Sequence, residues 1–99
     1  MRSVLTYLKP LSLQSEKECF FCGRREGLHR HHCFGGPNRK HSEEYSLTVW
    51  LCPAHHNMSS HSVHMDREMD LEVKRYAQQV FEGEYGHDKF METFKRNYL

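Results

Sequence analysis

Four cysteines and nine histidines stand in a chain of 99 residues, most of them between Cys19 and His64. Two pairs have the spacing of metal ligands. Cys19-Phe20-Phe21-Cys22 and Cys52-Pro53-Ala54-His55 are each short enough for one tight turn to present two ligands to a single tetrahedral ion. Gly23 frees the backbone to wrap around the second sulfur. The separation from Cys22 to Cys52 exceeds that of simple zinc fingers and leaves room for a strand, a loop and a strand. A structural zinc site of Cys19, Cys22, Cys52 and His55 is therefore expected. Two rivals compete with it. Cys33 could take the place of His55, although an extended backbone would turn Cys33 away from the side of its neighbour His32. Disulfides would also use four cysteines, but the interleaving of Cys with His argues for a metal.

The remaining histidines carry a second chemistry. His31 and His32 are adjacent near the end of a predicted strand, and His56 directly follows the second knuckle. Strand neighbours face opposite ways, so one imidazole can hold a metal while the other handles a proton. That division suits hydrolysis of a phosphodiester: a metal stabilises charge on the leaving oxygen and a neutral imidazole takes a proton from water. An imidazole is largely neutral near pH 7 and needs little tuning for that task. His29, His41 and His87 are expected to be surface or capping residues.

The elements that must position these groups follow from pattern. Residues 1–18 form an N-terminal arm, with a short strand or helical turn expected around Val4 to Leu8. Leu28 to Phe34 is an expected strand, closed by the loop residues Gly35-Gly36-Pro37-Asn38. Ser42 is expected to cap one helical turn through Tyr45. Leu47 to Leu51, β-branched and aromatic, is the second strand and runs into Cys52. Met69, Val73, Tyr76, Ala77, Val80 and Phe81 recur at helical steps after an Asp66 cap, with Gly83 or Gly86 as the stop. A second short helix capped by Asp88 carries Phe90, Phe94 and Tyr98 on one face. These stripes read as packing surfaces rather than a catalytic box. The fold class expected is α+β: residues 19–82 a zinc-stapled core, and residues 83–99 a helix packed on it.

Composition bounds the reading. Only 37% of residues are hydrophobic, and a domain this small usually needs a staple. The formal net charge is +1, so attraction of the whole molecule to nucleic acid is weak. The local distribution differs: Arg24, Arg25, Arg30, Arg39 and Lys40 face a single acid, Glu26, between residues 24 and 40. Basic charge thus gathers around the histidines, where a phosphate would have to sit, and Arg30, Arg39 and Lys40 are the candidates to hold it. Met1 to Leu13 carries only a short apolar stretch broken by Lys9 and Pro10, and is expected to be neither a signal peptide nor a membrane span. Cysteine usage fits a reducing, cytoplasmic setting.

Taken in order, Cys-x-x-Cys, a strand bearing His31-His32-Cys33-Phe34-Gly35-Gly36, a second strand, Leu51-Cys52-Pro53-Ala54-His55-His56 and a helix resemble the HNH endonuclease superfamily. More narrowly the chain resembles the short zinc-containing HNH proteins common in phages, over residues 19 to about 64. The resemblance implies a ββα-metal (His-Me finger) core and a metal-dependent DNA endonuclease, with nicking the more natural outcome for one small domain. It assigns Cys19, Cys22, Cys52 and His55 to structural zinc, His31 and His56 to a catalytic divalent ion (Mg²⁺, Mn²⁺, Ni²⁺ or Zn²⁺), and His32 to the general base. A third ligand would be His64, with His61 competing. The partners implied are DNA and a larger phage or recombination complex, in the host cytoplasm if the protein is phage-encoded. One departure stands out. The family's middle Asn, which orients the base, is not evident in Tyr45-Ser46-Leu47-Thr48. Ser46, a backbone carbonyl or Asn38 are the candidates to replace it.

Two other classes compete with a nuclease. A non-catalytic zinc module would bind nucleic acid or a partner protein through the same knuckles and would be indifferent to His32. A structural or assembly protein would use its two C-terminal helices to dock a partner.

Overall fold

The computed structural model describes residues 11–99, so the element expected around Val4 to Leu8 lies outside the described residues. The chain forms β1 (His29–His32), a single 3-10 turn at Gly36–Asn38, α1 (Arg39–Tyr45), β2 (Thr48–Leu51), α2 (Pro53–His56), α3 (Arg67–Tyr85) and α4 (His87–Phe94). The two strands pair antiparallel, with His29 opposite Leu51, His31 opposite Val49 and His32 opposite Thr48. This is a small α+β fold.

Each strand is four residues long, shorter at both ends of β1 than the Leu28 to Phe34 span expected. Period-2 alternation divides the hairpin. Val49 and Leu51 are buried, and they share a face with His31. Arg30, His32, Thr48 and Trp50 occupy the other face. After β1 the Cys33 amide still donates to the Leu47 carbonyl at 3.0 Å, so pairing continues one step beyond the regular ladder.

The link between the strands is more ordered than a loop. Pro37 opens the 3-10 turn, which leads into α1, and Ser46 ends α1 in the left-handed region at φ 58°. Ser42 is not the cap expected of it but lies inside α1, fully buried. Its hydroxyl accepts from the Phe34 amide (3.0 Å) and donates to the Phe34 carbonyl (2.8 Å). The residue type suited either role, and burial against β1 decided between them.

α3 begins where expected: the Asp66 carboxylate accepts from the Glu68 amide at 2.9 Å and the Met69 amide at 3.4 Å, a cap that also favours the helix dipole. It runs through Gly83 and stops at Gly86, whose φ of 90° suits glycine. α4 follows without a spacer, so Asp88 lies in its first turn instead of capping it. Val73, Ala77 and Phe81 of α3 are buried with Phe90 and Phe94 of α4. Phe34, Phe81, Phe90 and Phe94 stack and cross at centroid distances of 4.6 to 5.6 Å, so the aromatic stripes form the core. One polar side chain joins them. Gln78 is buried, donating to Glu82 and Asn97 (2.7 Å each) and accepting from the Tyr98 amide (2.8 Å), which ties the C-terminus to α3.

Part of the arm also packs. Leu13 is buried, its carbonyl accepts from the Tyr76 hydroxyl at 2.9 Å, and the Gln14 side chain accepts from the Trp50 amide at 2.7 Å. Among the described residues no helix is long and apolar enough to cross a membrane.

Candidate metal centres and catalytic cleft

The first knuckle is a backbone turn aimed at sulfur. The Cys19 amide donates to the Arg24 carbonyl (2.8 Å) and the Gly23 amide to the Cys19 carbonyl (2.9 Å), with Gly23 at φ 79°. The second is formed by α2, where the His55 and His56 amides close on the Cys52 carbonyl at 3.1 and 2.9 Å. The two turns bring Cys19, Cys22, Cys52 and His55 together, their ligand atoms all within 4.8 Å of one another. The Sγ atoms of Cys22 and Cys52 are 3.8 Å apart, and His55 Nδ1 lies 3.5 Å from Cys19 Sγ and 3.2 Å from Cys52 Sγ. A tetrahedral zinc with Zn–S of about 2.3 Å and Zn–N of about 2.0 Å needs S–S edges of ~3.8 Å and S–N edges of ~3.5 Å. The donor set fits zinc.

Burial disfavours a thiolate at Cys19, yet the amides of Cys52, Cys22 and Phe21 outweigh it and bring the thiol down to about 6. At Cys22 the Arg24 amide favours the thiolate, while burial and the neighbouring Cys19 and Cys52 sulfurs win and raise the thiol. Crowded sulfurs resist sharing negative charge unless a cation sits between them. Cys33 is buried outside this cluster, and burial pushes its thiol far up. It packs as an apolar residue, and the site with Cys33 in place of His55 does not form.

A second cluster lies on the far side of α2. His55 and His56 are successive residues on a helix, about 100° apart around its axis, so one joins the sulfurs and the other turns to β1. His31, His56 and His64 bring their ring nitrogens within 4.8 Å of one another. His56 Nε2 and His64 Nε2 are 3.2 Å apart, close to the ~3.3 Å edge of a tetrahedral nitrogen set at about 2.05 Å. His31 Nε2 is buried with no hydrogen-bond partner, the kind of orphaned acceptor that a metal would satisfy. Burial, then repulsion from His56 and His64, hold the His31 imidazole down to about 3, so it is neutral with its lone pair free. Burial first, then His64 and His29, also lower His56. This trio fits a borderline ion such as zinc or nickel better than magnesium, which prefers oxygen ligands.

His64 arrives from the irregular segment between α2 and α3, where the Val63 and His64 amides fold back onto the His55 and His56 carbonyls at 2.9 and 3.3 Å. His61 is exposed and outside the cluster. His29, expected as a surface or capping residue, is exposed, and it places Nδ1 3.0 Å from His56 Nδ1, which leaves His56 Nε2 to face the cluster. His41 and His87 pair with Glu44 (2.9 Å) and Glu82 (2.7 Å).

His32 points away from His31, as strand alternation requires, but both residues line one open cleft of about 570 Å³. Arg30, Arg39, His56, His64, Asp70 and Lys74 also line it. Lys40 lies alongside, bordering a neighbouring groove with His32, Arg39 and Glu43. None of the residues expected to orient His32 does so here. Asn38 donates instead to the Phe94 carbonyl at 3.2 Å. The partner of His32 is Glu43 of α1, with Nε2 and Oε1 2.6 Å apart, and the same carboxylate receives Arg30 at 3.2 to 3.3 Å. Hydrogen bonds from His32 and then Arg30 hold the Glu43 carboxyl below its usual value. Glu43, His29, Asp70 and Lys74 were missed by sequence reasoning. A signal existed for the first: Glu43 and Glu44 are the only acids between the two strands.

No protein-family model matches the chain, and no curated protein or solved structure matches it. What the fold and ligand geometry define is a small α+β module with a Cys₃His site suited to zinc.

Proposed function

We propose that this protein is a metal-dependent phosphodiester hydrolase of the HNH, ββα-metal type, acting on DNA. The observation that carries the reading is the division of β1: His31 joins His56 and His64 while His32, on the opposite face, lines the same cleft. A metal trio and a separate imidazole sharing one open cleft are what such hydrolysis requires. The resemblance of the paired motifs to HNH nucleases points the same way.

In this reading His31, His56 and His64 hold the catalytic ion, and His32 is the general base. His32 accepts a proton from a water molecule as the water oxygen bonds to phosphorus. The bond from phosphorus to the 3′ oxygen breaks, and that oxygen leaves and takes a proton from solvent. The divalent ion, when bound, supplies positive charge against the departing oxygen. Arg39 and Lys40, with the part of Arg30 not taken by Glu43, hold flanking phosphates and position DNA without reading sequence. Cys19, Cys22, Cys52 and His55 keep α2 and β2 in register with the first knuckle, so that His56 faces β1.

The test is nicking of supercoiled plasmid by zinc-loaded protein supplied with Mn²⁺, Ni²⁺ or Mg²⁺. His32→Ala is expected to lower kcat by on the order of 100- to 10,000-fold, the usual worth of a general base, with both metals retained. Equal nicking by wild type and His32→Ala would sink the assignment. Salt-sensitive DNA binding by a protein that never nicks would favour a non-catalytic zinc module.

A further inference from the structure

The position that orients the base in the resembling family has no Asn here, and the geometry points to Glu43 as the residue that positions His32, selecting the tautomer with a proton on Nε2 and a free lone pair on Nδ1. This inference rests on the reading of His32 as general base, but its physical content concerns one ring and one carboxylate.

An ionised carboxylate can only accept hydrogen bonds. With His32 Nε2 at 2.6 Å from Glu43 Oε1, the Nε2 atom must carry the hydrogen. A neutral imidazole has one N–H, so Nδ1 is left as the atom able to take a proton from water. The 2.6 Å separation is short for an N–H···O contact, in keeping with an ionised acceptor.

Glu43 is held for this task from two directions. Next to it Ser42 clamps α1 to the end of β1 through both polar groups of Phe34, and the Leu47 amide closes on the Ser42 carbonyl at 2.8 Å. The carboxylate itself is fixed by Arg30, which bonds both oxygens from the same face of β1. Arg30 and His32, two residues apart on a strand, thus converge on one acid delivered by the helix inserted between the strands. Glu44, the other acid in that insertion, pairs with His41. Asn38 donates instead to the Phe94 carbonyl, and Ser46 ends α1 in the left-handed region.

The experiment combines kinetics with nitrogen spectroscopy on the zinc-loaded full chain. In wild type, ¹⁵N correlation spectra of the neutral His32 ring are expected to show Nε2 protonated and Nδ1 bare, and Glu43→Ala is expected to give a mixture of tautomers. Glu43→Gln, whose amide oxygen can still accept from Nε2, is expected to keep the wild-type tautomer. Nicking should follow the same order: kcat falls on the order of 10- to 100-fold in Glu43→Ala, as for other supporting contacts. It should recover largely in Glu43→Gln. In Glu43→Ala KM should not rise, because Arg30 is released toward the phosphates. A tautomer unchanged by Glu43→Ala, or a wild-type ring protonated on Nδ1, would overturn the inference. Inactive wild-type protein with the expected tautomer shift would overturn the nuclease reading and leave Glu43 as the partner that sets the ring.

Discussion

His61 and His64 are three residues apart in a segment without helix or strand, and only His64 reaches His31 and His56. On the proposal that the trio holds a second ion, replacing His64 with Ala should reduce the metal bound from two ions per chain to one, while His61→Ala should leave two. Elemental analysis after zinc loading and gel filtration reads the difference directly. Equal losses in both variants would mean that the trio is not the second site. At this scale the sequence was legible wherever spacing alone delivers a ligand: Cys19 with Cys22, Cys52 with His55, and the opposed pair His31 and His32. It was silent where a partner comes from a distant element. His29 lies 27 residues from His56, and Glu43 lies 11 residues from His32, beyond a loop and in a helix. No periodicity links such positions, so only the folded backbone brings them together.

Elements were legible in proportion to their length and amphipathic pattern. α3, at 19 residues, was expected with its Asp66 cap and its buried stripe because a 3.6-residue period repeats over several turns. The four-residue β1 offers too few alternations to fix its ends, and only one turn of α1 was expected because Ser42 suits an N-cap. What makes α1 an element is tertiary: the buried Ser42 hydroxyl satisfies both polar groups of Phe34. Ser42→Ala leaves those groups unpaired in a fully buried position, a loss of about 1–3 kcal/mol. Urea denaturation of the zinc-loaded protein should show a destabilisation of that size. A midpoint unchanged from wild type would mean that water replaces the hydroxyl and that α1 is held by packing alone.

Across the whole molecule, the Cys₃His site and the aromatic core divide the labour of folding. Phe34, Phe81, Phe90 and Phe94 join the end of β1 to α3 and α4, whereas the sulfurs join residues 19–22 to the end of β2. Leu47, Val49 and Leu51 of the hairpin are buried with both, so the hairpin is the common wall. A structural zinc site contributes on the order of 10 kcal/mol at neutral pH, comparable to the whole stability of an ordinary domain. Removing metal should therefore unfold the molecule as a unit. Stepwise chelation offers two independent probes: Trp50, the single tryptophan, which sits in β2 beside the cysteine knuckles, and the helical circular dichroism dominated by α3. Loss of the ion proposed at the trio should leave both signals in place, because the trio lines a cleft rather than the core. Loss of the second ion should collapse the Trp50 and helical signals together. Helix content that survives removal of both metals would show that the aromatic core stands without the staple, and that zinc serves the hairpin alone.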